Sequence, residues 1–218
     1  MNSTTKSTIY PLFAQPVVVC APRLNVTAEE RAFVSALEMV DNVGNSMSEN
    51  DTVLDDPAMQ RIRTFVDEQV LNYKKNLLRI KDETELYVTQ SWVNVARPGQ
   101  FHPKHKHPNS IVSGVLFFDD NRNQDLPPIR FHRAAEALSM DFDYEELNDF
   151  NASCREIEPE SGLLILFPSQ LEHDVGTNES GRSRLSRLNL LTIGHSCRPS
   201  ARCRRSARRR SVPWLMAV

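Results

Sequence analysis

The amino-terminal third of the chain carries two segments with helical spacing of apolar residues. The first is Ala28–Val40, where Thr27 and Glu30 form a capping-box signature at the start. The second begins after Asp56, a capping residue followed by proline at the first helical position, and extends to Leu77. These patterns predict two amphipathic helices that pack on one side of a sheet.

From Leu86 onward the pattern changes to short extended runs separated by Pro, Asn and Gly turns. The predicted strands are Leu86–Ala96, Ile111–Phe118, Pro128–His132, Leu163–Phe167 and Ser183–Ile193. An earlier strand is predicted over residues 9–20, and a polar loop over residues 42–50. The stretch 134–150 fits either a loop over a pocket mouth or a short helix. The pattern indicates a mainly β fold with flanking helices and a double-stranded β-helix core of the jelly-roll, cupin-like type.

Composition and charge place this fold in one domain with a basic appendage. The 218 residues are 40% hydrophobic and 25% charged, which is ordinary for a globular chain. Seven of the 26 basic residues are arginines after residue 195, where no acidic residue occurs. We therefore expect a domain over 1–194 and a disordered Arg-rich tail over 195–218. Nucleic acid could be attracted only through that tail.

The cellular compartment follows from the cysteines and from the apolar runs. The four cysteines form no CxxC pair, which favours free thiols in a reducing environment over a disulfide framework. No apolar run approaches the roughly 20 residues that a membrane span needs, and the first residues lack a signal-peptide core. These features predict a cytoplasmic protein without a membrane partner.

Three of the six histidines lie within six residues, between two predicted strands. They are His102, His105 and His107. Alternate side chains of a strand share a face, so His105 and His107 would reach one metal ion together. Because Lys104 and Lys106 interleave with them, a solvated basic loop is the alternative interpretation.

A second polar stretch follows the predicted strand Leu163–Phe167. Pro168 ends the strand, His173 comes next on a predicted polar turn, and Arg184 and Ser186 follow a Gly- and Ser-rich loop. A histidine pair, a distant histidine and an arginine about ten residues later form the layout of an iron(II) site with an adjoining 2-oxoglutarate pocket.

These motifs resemble those of the Fe(II)/2-oxoglutarate-dependent dioxygenases. Among them, the chain is similar to a group of small 2OG-Fe(II) oxygenases of bacteria and tailed phages. The shared positions are Trp92 and Asn94, His105–Ser110, Ser113–Val115, Phe167–His173, Arg184–Ser186 and Asn189. The resemblance covers roughly residues 9–194.

The resemblance implies a metal site of three histidines, namely His105, His107 and His173. This class of enzyme usually binds iron with two histidines and a carboxylate. His107 stands where the carboxylate is expected, and the resembled group also has histidine there. Neutral imidazoles suit several metals, so the ligand types alone leave the metal open. His102 is the competing candidate ligand.

The resemblance also assigns a cosubstrate site. Arg184 and Ser186 lie two apart on a predicted strand and would together bind the far carboxylate of 2-oxoglutarate, with Asn94 as a further pocket residue. Arg182 and Arg187 are rivals. Arg187 would point to the opposite face from Arg184.

The implied activity is that of an Fe(II)/2-oxoglutarate-dependent dioxygenase. It would hydroxylate an unknown primary substrate with O2 and release succinate and CO2. The alternative is a cupin-like metal-binding protein or an enzyme that does not use 2-oxoglutarate. The oligomeric state, including a homodimer, stays open.

Overall fold

The computed structural model describes residues 8–10, 12–118, 126–133, 143–179 and 185–196. The strands are β1 Val18–Val19, β2 Met39–Asn42, β3 Asn45–Ser48, β4 Thr84–Ala96, β5 His102–His105, β6 Val112–Phe117, β7 Ile129–His132, β8 Cys154–Ile157, β9 Leu164–Pro168, β10 His173–Val175 and β11 Leu185–Ser196. The helices are α1 Ala28–Ala36 and α2 Gln60–Asn72, with a π-helical turn Tyr73–Leu78 and 3-10 turns Val53–Asp55 and Pro57–Met59.

The predicted capping box at the start of α1 is confirmed. The Glu30 amide donates to Thr27 Oγ1 at 3.2 Å, and the Thr27 amide donates to Glu30 Oε2 at 2.8 Å. The predicted extension of this helix to Val40 is wrong, because Leu37 adopts an extended conformation and the chain enters β2.

The predicted loop over residues 42–50 is a hairpin. Strands β2 and β3 pair antiparallel across a turn at Gly44, and β3 then joins β4. Gly44 has φ +76°, and a Cβ there would approach the Phe101 carbonyl oxygen to 2.9 Å. The hairpin therefore packs closely on the loop that leads into β5.

Two sheets form the predicted double-stranded β-helix. The larger has the strand order β1-β9-β6-β11-β4-β3-β2, and the smaller has the order β5-β10-β7-β8. Strands β8 and β10 were not predicted, and residue 173 lies in β10 rather than on a turn. The carboxyl-terminal strand β11 extends to Ser196, two residues past the expected domain boundary. Residues 197–218 lie outside the described residues, as do residues 134–142 of the stretch that sequence left ambiguous.

Two apolar cores cover opposite faces of the larger sheet. One joins it to the helices, with Val34, Val66 and Leu188 among its members. The other fills the space between the two sheets and includes Phe117 and Phe131. Among the described residues, no helix is long and apolar enough to span a membrane.

Candidate active site

Strands β5 and β10 bring two of the predicted histidine ligands side by side. His105 is directly paired with His173 across these antiparallel strands. His107 follows two residues after β5, where its amide donates to the Ser169 carbonyl oxygen at 2.8 Å. The Gln170 side chain donates to the His107 carbonyl oxygen at 3.1 Å. The turn between β9 and β10 thus fixes the third histidine.

The three imidazoles converge on one point. One candidate ligand atom from each of His105, His107 and His173 lies within 4.8 Å of the other two. The ring centroids are 4.2 Å apart for His105 and His173 and 4.8 Å apart for His105 and His107. Metal–imidazole bonds of about 2.1 Å bring ligand atoms this close around a single ion. Among the described residues, this is the one cluster of its kind.

Backbone carbonyl groups set the tautomers of two of these rings. His105 Nδ1 lies 2.7 Å from the Pro103 carbonyl oxygen, and His173 Nδ1 lies 2.9 Å from that of Leu171. Since a carbonyl oxygen only accepts, Nδ1 carries the proton in each ring and Nε2 is left as the lone-pair donor. This is the arrangement that orients metal-binding histidines in proteins.

Burial keeps the three rings neutral at physiological pH. It lowers the pKa of His107 to about 3, with a further contribution from His105. Burial also lowers the pKa of His105, and it lowers that of His173 well below its ordinary value. Neutral imidazole is the form that binds a metal.

No carboxylate completes the triad among the described residues, although Asp174 is adjacent to His173. The Asp174 carboxylate instead accepts from Arg130 Nε at 2.6 Å and lies 3.0 Å from His132 Nε2. As expected for alternating strand residues, Asp174 faces away from the triad. His132 is held by the same carboxylate on that face.

The larger sheet carries a buried arginine, Arg187, within electrostatic reach of the histidines. Arg187 is buried on β11, where it pairs with Asn94 of β4 and Phe117 of β6. Its positive charge contributes to lowering the pKa of His102 and His105, after the larger effect of burial. Sequence reasoning considered Arg187 only as a rival residue. The signal that could have identified it is its spacing of two from Asn189, a motif residue.

Asn94 is at the centre of a chain of side-chain amides. Asn189 Nδ2 donates to Asn94 Oδ1 at 3.1 Å, and Asn94 Nδ2 donates to Asn45 Oδ1 at 3.2 Å. Asn45 Nδ2 then donates to the Phe101 carbonyl oxygen at 3.0 Å. The chain connects β11 to the residue that precedes His102. A direct contact of the fully buried Asn94 with a cosubstrate stays a prediction.

The other predicted cosubstrate residues are only partly within the described region. Arg184 lies outside it. The backbone of Ser186 pairs with Val95, a residue of the core between the sheet and the helices. The assignment of Arg184 and Ser186 therefore stays a prediction.

Comparison with protein families identifies the central part of the chain. Residues 90–187 match the family model described as "Putative 2OG-Fe(II) oxygenase". The matched segment includes β4 from Gln90 onward, all three histidines of the triad and Arg187. The comparison with curated proteins finds no match.

Solved structures share the fold at low sequence identity. A 2OG-Fe(II) oxygenase-family oxidoreductase from Burkholderia pseudomallei superposes with a TM-score of 0.52 at 13% identity, over 83% of this chain and 85% of that one. HygX from Streptomyces hygroscopicus, solved with nickel, 2-oxoglutarate and hygromycin B, gives 0.54 at 12% identity, over 81% and 83%. The carbocyclase SnoK of nogalamycin biosynthesis gives 0.57 at 12% identity, over 82% and 80%. Residues 90–187 are therefore similar to the 2OG-Fe(II) oxygenases in sequence, and the chain shares its fold with solved members of that group.

Proposed function

We propose that His105, His107 and His173 bind the iron(II) of this oxygenase through one ring nitrogen each. The convergence of three buried, neutral imidazoles is the observation that supports this site. When bound, iron and 2-oxoglutarate supply an oxidation in which O2 is consumed, succinate and CO2 are released, and a substrate carbon is hydroxylated. The protein's own residues hold the reactants in place and exclude water. The primary substrate is not defined by these residues.

Arg187 is the proposed partner of the far carboxylate of 2-oxoglutarate. It is buried between the two sheets, close enough to the triad for its charge to act on His102 and His105. A guanidinium group offers a planar fork of N–H donors that matches a carboxylate with two charge-assisted hydrogen bonds. A dicarboxylate with one end at the metal would present its other end to this group.

The metal assignment is tested by the metal affinity of single alanine variants. Replacement of His105, His107 or His173 should weaken metal binding strongly, whereas His132→Ala, on the opposite face of β7, should bind as the parent does. A His107→Ala variant with the parent's affinity would reject the three-histidine site.

The cosubstrate assignment is tested by anaerobic titration of 2-oxoglutarate into the iron-loaded protein, followed by its visible charge-transfer band. Arg187→Met should keep the metal and weaken 2-oxoglutarate binding by at least about a hundredfold, since breaking a buried charge pair costs roughly 3–5 kcal/mol. Arg187→Lys should recover only part of the affinity, because lysine lacks the fork.

Two further variants serve as comparisons in this titration. Arg63→Met, which loses only ion pairs with Asp55 and Asp67 near α2, should bind 2-oxoglutarate as the parent does. Arg184→Met tests the sequence prediction directly. If Arg184→Met loses the cosubstrate and Arg187→Met retains it, the proposal for Arg187 is wrong.

A further inference from the structure

His102 shares a face with His105 because β5 contains a bulge. On β10, His173 pairs with His105 and Val175 pairs with His102. The two pairs are therefore two residues apart along β10 but three residues apart along β5. In a regular strand, residues three apart point to opposite faces. The extra residue of a bulge reverses that relation. The two rings consequently stack, with centroids 4.3 Å apart and planes inclined by 20°.

His102 lies beside the triad, because its ring stacks on that of His105. Burial is the largest cause of a His102 pKa that lies well below the ordinary value. Interactions with His105 and Arg187 lower this pKa further, and those with His173 and His107 make smaller contributions. His102 is thus within electrostatic reach of both parts of the site. Its ring is neutral and carries one N–H donor and one acceptor nitrogen.

The ring nitrogens of His102 differ from those of the two neighbouring ligands. His105 and His173 each donate Nδ1–H to a backbone carbonyl oxygen. Within the described part of the chain, His102 makes a ring contact with His105 but no hydrogen bond from either ring nitrogen. It is also not a member of the metal-binding triad. His102 is partly buried, so its ring N–H is available to donate to a ligand that enters the site.

We propose that His102 is a further cosubstrate-contacting residue, whose ring N–H donates a hydrogen bond to 2-oxoglutarate bound between the triad and Arg187. The proposal rests on the proposed function of Arg187 and the triad. The bulge in β5 is the structural device that turns His102 into the site. The stack against His105 holds the ring in place. The dicarboxylate supplies the acceptor that no described residue provides.

Two substitutions separate the ring of His102 from its hydrogen bond. His102→Phe keeps an aromatic ring that can stack on His105 but removes both nitrogens. His102→Gln removes the ring but keeps an N–H donor of similar reach. Hydrogen bonds to charged groups contribute enough that His102→Phe should weaken 2-oxoglutarate binding by about tenfold to a hundredfold. His102→Gln should recover a substantial part of that loss.

The measurements are metal affinity, by titration with Co(II), and anaerobic binding of 2-oxoglutarate to the iron-loaded protein. We expect His102→Phe to retain the parent's metal affinity and to lose cosubstrate affinity. His132→Phe removes a histidine from the opposite face of the same small sheet and should change neither value.

Three results would overturn the proposal. One is an unchanged 2-oxoglutarate affinity in His102→Phe, and another is an equal loss in His102→Gln. The third is a parallel loss of metal in His102→Phe, which would make His102 a support or ligand of the metal. Failure of the parent itself to bind 2-oxoglutarate with iron bound is a separate outcome, and it would reject the proposed function.

Discussion

The buried histidines make the metal-free protein sensitive to mild acid. His107 and His173 are only 5% and 4% exposed, and burial lowers the pKa of both, that of His107 to about 3. In the unfolded chain, a histidine has its ordinary pKa of about 6.5. Below that pH the unfolded state takes up protons that the folded state does not. Stability is therefore present above pH 6.5 and is lost as the pH falls toward the folded pKa.

The expected loss can be estimated from linkage. At one pH unit below the pKa of the unfolded chain, a histidine is protonated in the unfolded state but stays neutral in the folded state. Each such histidine lowers the free energy of unfolding by about 1.4 kcal/mol. His107 and His173 together should therefore cost about 3 kcal/mol between pH 7.5 and 5.5. That is a large part of the 5–15 kcal/mol typical of a folded domain.

Urea unfolding of chelator-treated protein at pH 7.5 and 5.5, followed by far-ultraviolet circular dichroism, measures this loss. His107→Gln cannot take up the proton at that position, so its loss should be smaller than the parent's by about 1.4 kcal/mol. An unfolding free energy that is the same at both pH values would refute the reasoning. So would a His107→Gln variant that loses as much as the parent.

Two remaining predictions concern the segments that support the site. Gly162→Ala should cost at least about 2–4 kcal/mol in urea unfolding, because φ is +77° and a Cβ would lie 1.7 Å from the Leu24 carbonyl oxygen. Gly99→Ala, at φ +79° with open space around it, should cost only about 1–2 kcal/mol. Asn45→Asp turns the donor to the Phe101 carbonyl oxygen into an acceptor. It should weaken Co(II) binding, and an unchanged affinity would show that the hairpin does not position β5.

Local signals in the sequence were sufficient for the elements that local interactions stabilise. The capping box of Thr27 and Glu30 and the cap at Asp56 appear as predicted, because each depends on residues two or three positions apart. The β2–β3 hairpin was missed because its support comes from distant residues. Asn45 bonds to Asn94 and to the Phe101 carbonyl oxygen, and neither contact leaves a trace in the local pattern.

The structure brings the three predicted histidines together, whereas the choice between Arg184 and Arg187 stays a prediction because Arg184 lies outside the described residues. Alternation along β11 puts Arg187 and Asn189 on one face, but alternation alone does not tell which face meets the histidines. The neighbouring strand decides that question. Arg187 pairs with Asn94 of β4 and with Phe117 of β6, and Phe117 belongs to the core between the two sheets. The face on which Arg187 lies is set by the register between β4 and β11, and that register depends on the whole sheet.

The position of Asp174 has a consequence for the charge of the proposed metal centre. Its carboxylate is engaged by Arg130 and His132 on the other face of the small sheet, so the triad contributes only neutral imidazoles. A site with two histidines and a carboxylate would offset part of the ion's charge with the protein itself. In the proposed site, the dicarboxylate cosubstrate would supply negative charge that the triad lacks. With Arg187 at the far end of the cosubstrate, as proposed, we expect metal and 2-oxoglutarate each to raise the affinity for the other.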